Sequence, residues 1–537
     1  MNTEKKDADT YAVRKVQIDQ NHELYEWCST MTSLSNNLYN TGLFHIRQCM
    51  TGLKKEPDQR QPLEKEVIGR IEKALPDMNL IRERTWQKQM AKYEALEDKN
   101  GKQEPKLRLF KMPEADTWML SFTFLDALFK TVQDPDYLAK GLPRQSAQAV
   151  LKRACQDMKS FFEASKEYKA NPSAFLGAPR LPGYKKRGGQ CTAIVTSQDC
   201  VYDSKENAFK LPLTGIRLKA GETDQKLKQL EICPSHGIFV IHLTFETDAK
   251  PLPEKTVRAA ALDPGLNNFA SIVTNSGSKG LIVKGGAVQN AKRHEQYRAS
   301  QFQSGQCGRS KKRFAPSKRY HQCIVHYENQ TKDLVSKTAV RIMEYLKENK
   351  IDTLIVGHNK NQKQNINIGT RNNQKFCSMP VDQLRRQLEY RCQREGILYL
   401  ETEESYTSKS SFLDGDILPV YGDEIPRVFS GRRTSRGQYV SKDGKTVNAD
   451  LNGAANIGRK LFPELFTPET VSFEADVWRI QSVKKQRSKQ KYVWKGKKQY
   501  KKDRLAAGKT GHRNQTTAHS GTSQRTGSGL LKQIDVF

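Results

Sequence analysis

The spacing of apolar residues changes character several times along the chain. YAVRKVQI (11–18) alternates at a period of two and predicts a single strand. From Asn21 to about Phe162 the apolar residues instead recur at helical spacing, in YEWCSTMTSLSNNLYNTGLFHIRQ, PLEKEVIGRIEKAL and PRQSAQAVLKRACQDMKSFFEAS, with charges of both signs on the outer faces. Short β-rich runs follow from Thr192 to about Asp248, namely TAIVTSQDCVY, AFKLPLTGIRL and GIFVIHLTFET, broken by Gly, Pro and Asp. The lone early strand is expected to pair with this later sheet, which makes the helical stretch an insertion into a small β-barrel.

From Val257 the pattern turns to strand-helix alternation. It runs through strand VRAAALD, hairpin FASIVTNSG/GLIVKGG, the helical run SKRYHQCIVHYENQTKDLVSKTAVRIMEYLKEN, strand IDTLIVG, helix PVDQLRRQLEYRCQREG and strand ILYLE. Such alternation predicts a central mixed sheet flanked by helices. A Gly/Ser/Arg-rich piece (405–447) and a helix ADLNGAANIGRKLF come next. Beyond Lys484 the chain is too polar to bury a core, and it is expected to be mobile without a polyanion. No internal repeat is evident.

A chain of 537 residues is long enough for two to four domains. Its 90 Lys and Arg against 59 Asp and Glu leave a formal charge of +31, a field that attracts polyanions and gives salt-dependent affinity for nucleic acid. Membrane is the competing polyanion, but no apolar run of about 18 residues and no secretory pattern is found, so a soluble, unsecreted protein is expected. The ten cysteines include no C-x-x-C pair, which predicts reduced, mostly buried thiols and argues against a Cys-only zinc site.

Three acids fall at the ends of elements in the α/β part. Asp263 closes RAAALD, Glu404 follows ILYLE, and Asp450 opens DLNGAANIGRK. Strand ends deliver side chains to one sheet edge, where a helix start adds another. Three carboxylates converging there could hold two Mg²⁺ ions about 4 Å apart for in-line attack on a phosphodiester. Each acid also has a plainer reading. Asp263 opens a common Asp-Pro-Gly turn, Glu404 could be a solvated loop acid, and Asp450 fits a helix N-cap.

The flanking residues narrow these alternatives. ALDPGLNNFASIV resembles the first RuvC-type nuclease motif and ADLNGAANIGRK the third. LIVGHNKNQKQNINIGTRNNQKF with PVDQLRRQLEYRCQREGILYLETEESYTSKSS resembles the TnpB family of RNA-guided, insertion-element nucleases, from which compact type V CRISPR effectors descend. NNLYNTGLFHIRQ and LPRQSAQAVLKRACQDMKSFFEASKEYKANPSAFLGAPRLPGYKK are similar to its N-terminal half, so the resemblance spans about residues 12 to 462.

The resemblance implies a multidomain α+β fold: an OB-like wedge β-barrel with an inserted helical recognition domain, then an α/β RNase H-like (RuvC) nuclease domain. The implied divisions are wedge strand 1–20, helical domain 21–165, wedge barrel 166–255, nuclease domain 256–404, target-binding insertion 405–447, nuclease end 448–480 and basic tail 481–537. It also implies guide RNA pairing with double-stranded target DNA beside a short flanking motif, with Asp263, Glu404 and Asp450 as the Mg²⁺-binding triad. Glu404 is preferred over Glu403 and Glu401 because the family's glutamate directly precedes the Tyr-Thr-Ser run. Many relatives carry a zinc ribbon after that glutamate. Here SFLDGD and FSGRRTSRGQYVSKDG replace it, so no zinc is expected, and Arg432, Arg433 and Arg436 are read as phosphate contacts or as a solvated basic loop.

Other contacts are expected from position. Gln145, Gln148 and Lys152 share a helix face suited to reading base edges of the flanking motif, unless that face is merely solvated. Lys360, Lys363 and Arg371 follow strand IDTLIVG and would lie near heteroduplex or displaced strand, unless they form a plain loop. His358 beside them is read as a hydrogen-bonded structural residue. Tyr492, Trp494 and Tyr500 among lysines suit stacking on single-stranded nucleotides, although an electrostatic anchor for guide RNA needs only the charges. The expected activity is RNA-guided DNA cleavage in a prokaryotic cytoplasm, at the nucleoid when on DNA. A guide-dependent repressor, a transposase with the same chemistry and a simple RNA-binding protein are the alternatives. Insertion-element and CRISPR forms, and one or two protein copies per guide, are not separated by the sequence.

Overall fold

A computed structural model describes residues 10–96, 103–203, 205–219, 227–247, 250–308, 313–359, 369, 373–374, 377–420 and 428–481. The chain forms two compact units. The first comprises Met1–Pro253, His294–Glu328 and Cys392–Ile397, the second Glu254–Arg293, Asn329–Arg391 and Leu398–Phe537.

In the first unit, strand β1 (Thr10–Ile18) is followed by helices α1 (Tyr25–Gly52), α2 (Pro62–Glu94), α3 (Phe122–Thr131) and α4 (Arg144–Ala170). Strands then resume with β2 (Ala193–Thr196), β3 (Val201–Asp203), β4 (Ala208–Lys210), β5 (Arg217–Lys219), β6 (Leu227–Ser235) and β7 (Ile238–Thr247). The early strand pairs antiparallel with β7 along its whole length, in a four-stranded sheet ordered β1-β7-β6-β2. Strands β3, β4 and β5 form a separate antiparallel sheet. Leu38, Leu43, Leu125, Leu128 and Leu151 join Leu230, Ile232, Ile241 and Leu243 in one core that binds the helices to the sheet. Close approach of α1 to α4 depends on Gly42, where a Cβ would come within 2.9 Å of Leu151. The sequence pattern misses β6, because LKQLEICPS mixes polar residues and a proline into its alternation.

In the second unit, β8 (Ala259–Asp263), β9 (Asn268–Thr274) and β10 (Gly280–Lys284) form an antiparallel meander. In chain order there follow helices α5 (Gly286–Cys307) and α6 (Lys318–Glu348), strand β11 (Thr353–Gly357), helix α7 (Val381–Glu395) and strand β12 (Leu398–Thr402), the helices belonging to this unit only outside His294–Glu328 and Cys392–Ile397. Next come β13 (Arg432–Ser435), β14 (Gln438–Val440), β15 (Thr446–Asn448), helix α8 (Ala449–Leu461) and β16 (Ala475–Arg479). The main sheet is ordered β12-β11-β8-β9-β10-β16, with β12, β11 and β8 parallel and β16 parallel to β10. This is the mixed α/β sheet the alternation predicts, extended by one unexpected edge strand. Helix α5 is also unanticipated, since of its residues only Val288 and Ala291 are buried and no apolar stripe announces it.

Helix α8 packs across β8, β9 and β11. Its approach is set by small residues. A Cβ on Gly357 would meet Ile457 at 2.6 Å, and one on Gly458 would meet the Phe466 ring at the same distance. Ala259, Ala261, Val273, Ile355, Leu451, Ala454 and Ile457 fill the layer between helix and sheet.

Candidate active site

Asp263 is the last residue of β8, paired with Ser271 of β9, and the next strand over is β11. Its carboxylate lies under α8, since a Cβ on Gly453 would stand 2.7 Å from Oδ2. Glu404 reaches the same place from beyond β12. Its Oε2 lies 2.9 Å from where a Cβ on Gly357 would be, and its backbone N–H donates to Asn359 Oδ1 at 2.9 Å.

Asp450 arrives from α8, but not as its N-cap. Asn448 occupies that position and accepts from the N–H groups of Asp450 and Leu451 at 3.0 and 3.3 Å. The Asp450 carboxylate is therefore released for other partners: Asn268 Nδ2 donates to it at 2.6 Å and Arg433 Nη2 at 3.0 Å. Lys284 Nζ donates to Asn268 Oδ1 at 2.9 Å and fixes that amide.

The electrostatics follow from this crowding. Asp263 keeps part of its surface open, yet protein atoms surround the carboxylate deeply. Burial, then the charges of Glu404 and Asp450, raise its pKa well above the ordinary range, with Arg433 opposing. Crowding of this kind is relieved by protonation of Asp263 or by a bound cation. All the donors are hard oxygens on one sheet edge, a set that fits Mg²⁺.

The competing glutamates are occupied elsewhere. Glu403 accepts from Lys460 Nζ at 2.7 Å, and Glu401 is held by Arg385 and Tyr399. The divergence of Glu403 from Glu404 arises at a tight turn, in which Thr407 N–H and Oγ1 donate back to the Glu404 carbonyl and Tyr406 has a φ of 63°.

The segment after Glu404 is far from a free polar loop. Thr407, Ser410, Ser411 and Phe412 are buried. Two α8 asparagines that sequence reasoning passed over hold it. Asn452 accepts from Phe412 N–H at 3.0 Å and donates to the Ser410 carbonyl at 2.9 Å, while Asn456 donates to the Thr407 and Ser410 carbonyls. Their spacing of one helical turn was the available signal. Asp416 of SFLDGD accepts from Ser411 N–H, Ser430 N–H and Ser430 Oγ, and Asp414 accepts from Lys442 N–H. These aspartates tie the segment together without cysteines.

The expected nucleic-acid contacts divide. Arg432, Arg433 and Arg436 are all exposed on the β13–β14 hairpin, and Arg433 is in addition paired with Asp450. Gln145, Gln148 and Lys152 do share a face of α4, but Gln148 donates to Asp126 at 3.1 Å and the Lys152 ammonium lies 4.7 Å above the Phe122 ring. That face is therefore partly spent on α3. The His358 backbone N–H donates to the Thr402 carbonyl. Lys360, Lys363, Arg371, Tyr492, Trp494 and Tyr500 lie outside the described residues. Among the described residues no helix is long and apolar enough to cross a membrane.

Comparison with known proteins places two family matches on this geometry. Residues 242–363, which contain Asp263, match the OrfB_IS605 model, described as a probable transposase. Residues 382–457, which contain Glu404, Arg433 and Asp450, match the TNB domain of the Cas12f1-like model. A search of curated proteins gave no match. Among solved structures, a Cas12f1–sgRNA–target DNA complex is similar at 13% identity over 72% of this chain and 95% of that one, with a TM-score of 0.34. The mini-RNA-guided endonuclease CRISPR-Cas_phi3 is similar at 10% identity over 63% and 85%, with a TM-score of 0.32. CasPhi-2 (Cas12j) bound to crRNA is similar at 9% over 66% and 92%, with a TM-score of 0.29. The two sequence matches are of the kinds the motifs suggested, and the chain fits a TnpB or Cas12-like protein.

Proposed function

We propose that the chain is an RNA-guided DNA endonuclease whose catalytic centre is Asp263, Glu404 and Asp450, on an RNase H-like sheet. One observation carries this reading: three carboxylates from a β8 end, a post-β12 turn and the first turn of α8 meet around a deeply enclosed Asp263. The family matches over both halves of that site support it, as does the formal charge of +31.

These three acids would hold Mg²⁺, two ions in this reading. When bound, the metal supplies activation of water at neutral pH and stabilisation of the leaving oxygen. The chain's own residues prepare the site. Asn268, fixed by Lys284, orients Asp450, and Asn359 holds the backbone at Glu404. Gly453 and Gly357 leave the space the carboxylates occupy. Guide RNA pairing supplies sequence recognition, and the basic surface binds backbone. Double-stranded target DNA is opened, and a single strand reaches the acids. The β1–β7 barrel-like unit and its inserted helices would serve as wedge and recognition domains.

A second reading, DNA strand joining by the same acids, is favoured by the description of the OrfB_IS605 match as a transposase. One experiment separates the readings. The protein is purified with its co-expressed RNA, the RNA is sequenced, and the complex is challenged with a plasmid library randomised beside a matched target. Mg²⁺-dependent cleavage lost in Asp263→Ala supports the nuclease. Guide-dependent binding without cleavage favours a repressor, and joining of strands at a new position favours a transposase.

A further inference from the structure

On the sheet of the first unit, β6 and β7 are joined by the two-residue turn His236-Gly237, whose φ values of 48° and 77° are those of a tight hairpin turn. The turn fixes the register, and in that register Glu231 stands directly opposite His242. Leu230, Ile232, Ile241 and Leu243 point into the core with no exposed surface. Alternation therefore puts Glu231, Cys233 and His242 together on the other face. Their ligand atoms all lie within 4.8 Å of one another, and Cys233 Sγ is 4.0 Å from His242 Nδ1. All three are half-buried, and Glu231 is oriented by a hydrogen bond from Gln229 Nε2 at 2.8 Å.

We propose that Glu231, Cys233 and His242 form a metal site for a borderline divalent ion, with Zn²⁺ as the best fit, distinct from the acid cluster of the second unit. A thiolate, an imidazole and a carboxylate are the donor types zinc takes, and three protein ligands leave a fourth position open. Tetrahedral zinc holds a sulfur and a nitrogen about 3.6 Å apart, so the pair seen here need close by only about 0.4 Å. Binding displaces the Cys233 proton to solvent. The site bridges neighbouring strands of the sheet that β1 completes, and it escapes a search for C-x-x-C knuckles because its ligands sit across a hairpin. It is thus a zinc site where the cysteine pattern predicts none.

The test uses untagged, full-length protein stripped with chelator and titrated with Co²⁺. A near-ultraviolet thiolate-to-Co²⁺ charge-transfer band is expected at about one ion per chain. The band should vanish in Cys233→Ser, persist in Cys377→Ser at an exposed cysteine, and shift or weaken at least tenfold in affinity in His242→Gln and Glu231→Gln. Zn²⁺ should displace it. Oxygen-only binding at Asp263, Glu404 and Asp450 gives no such band, so the readout is independent of cleavage. A missing band in the unmodified protein, or a band surviving Cys233→Ser, overturns the proposal. Should Cys233→Ser fail to fold, an unchanged band and affinity in His242→Gln overturns it equally.

Discussion

Gly453→Ala isolates the effect of placing Asp263 from every change of charge. The new Cβ would stand 2.7 Å from Asp263 Oδ2 and 3.6 Å from its Cγ. The first distance is roughly 0.6 Å short of ordinary carbon–oxygen contact. The methyl is short and rigid on a buried helix, so the carboxylate or α8 must move. Overpacking of this kind costs about 1–3 kcal/mol. Replacing a helix-interior glycine by alanine returns about 1 kcal/mol. The net loss of stability is therefore small, between zero and about 2 kcal/mol. A displacement of that size in a site requiring ångström alignment lowers cleavage roughly 10- to 100-fold. The assay is cleavage of a matched plasmid by the guide-loaded protein, with target binding and urea unfolding measured alongside. Gly69→Ala is the control, because in α2 nothing lies within 4 Å of the added methyl. Cleavage within about threefold of the unchanged protein would refute the close packing of α8 on Asp263. Loss of binding together with cleavage would show the effect to be global.

Glu404→Gln should reduce cleavage more than 100-fold while Glu403→Gln, whose parent is held by Lys460, should retain most of it; the reverse order would move the proposed ligand by one residue. Asn452→Ala leaves the buried Phe412 N–H without its acceptor, while the Ser410 carbonyl keeps Asn456 as a donor, and should cost about 1–3 kcal/mol in urea unfolding. Asp416→Ala removes the acceptor of Ser411 and Ser430 and should speed limited proteolysis between residues 413 and 448 about tenfold; an unchanged digestion pattern would count against a structural role for SFLDGD. Glu64 in the first turn of α2 has burial working to raise its pKa, but hydrogen bonds from Lys55, Thr51 and the Gln61 N–H, with the Lys55 charge, lower it to about 2. Its stabilisation is complete above its ordinary pKa of 4.5 and is lost as pH falls towards 2, so the destabilising effect of Glu64→Gln should be largest near pH 7 and shrink steadily below pH 4.5.

Legibility in the sequence followed the range of the interactions concerned. Strands β8, β9 and β11 are almost wholly buried, so their apolar runs were sufficient, and Asp263 could be placed at a strand end from neighbouring residues alone. Helix α5 and strands β6 and β16 escaped because their residues are largely polar or sit at an edge, leaving no periodic stripe. The acids show the same division more sharply. Asp450 looked like a helix cap because it is the first acid of α8, and only the Asn448 side chain two residues earlier, already bonded to the free N–H groups, takes that role away. Choosing between Glu403 and Glu404 needs Lys460, and the engagement of Arg433 needs Asp450, contacts that no local pattern encodes. The missing cysteines after Glu404 were plain in the sequence, but what does their work was not. Asp414, Asp416, Asn452 and Asn456 bind that segment through hydrogen bonds among residues up to 49 positions apart. Closure of the segment after Glu404 therefore does not rest on cysteines: buried amides from α8 and turn-holding carboxylates supply it, and the turn they close begins at Glu404 itself.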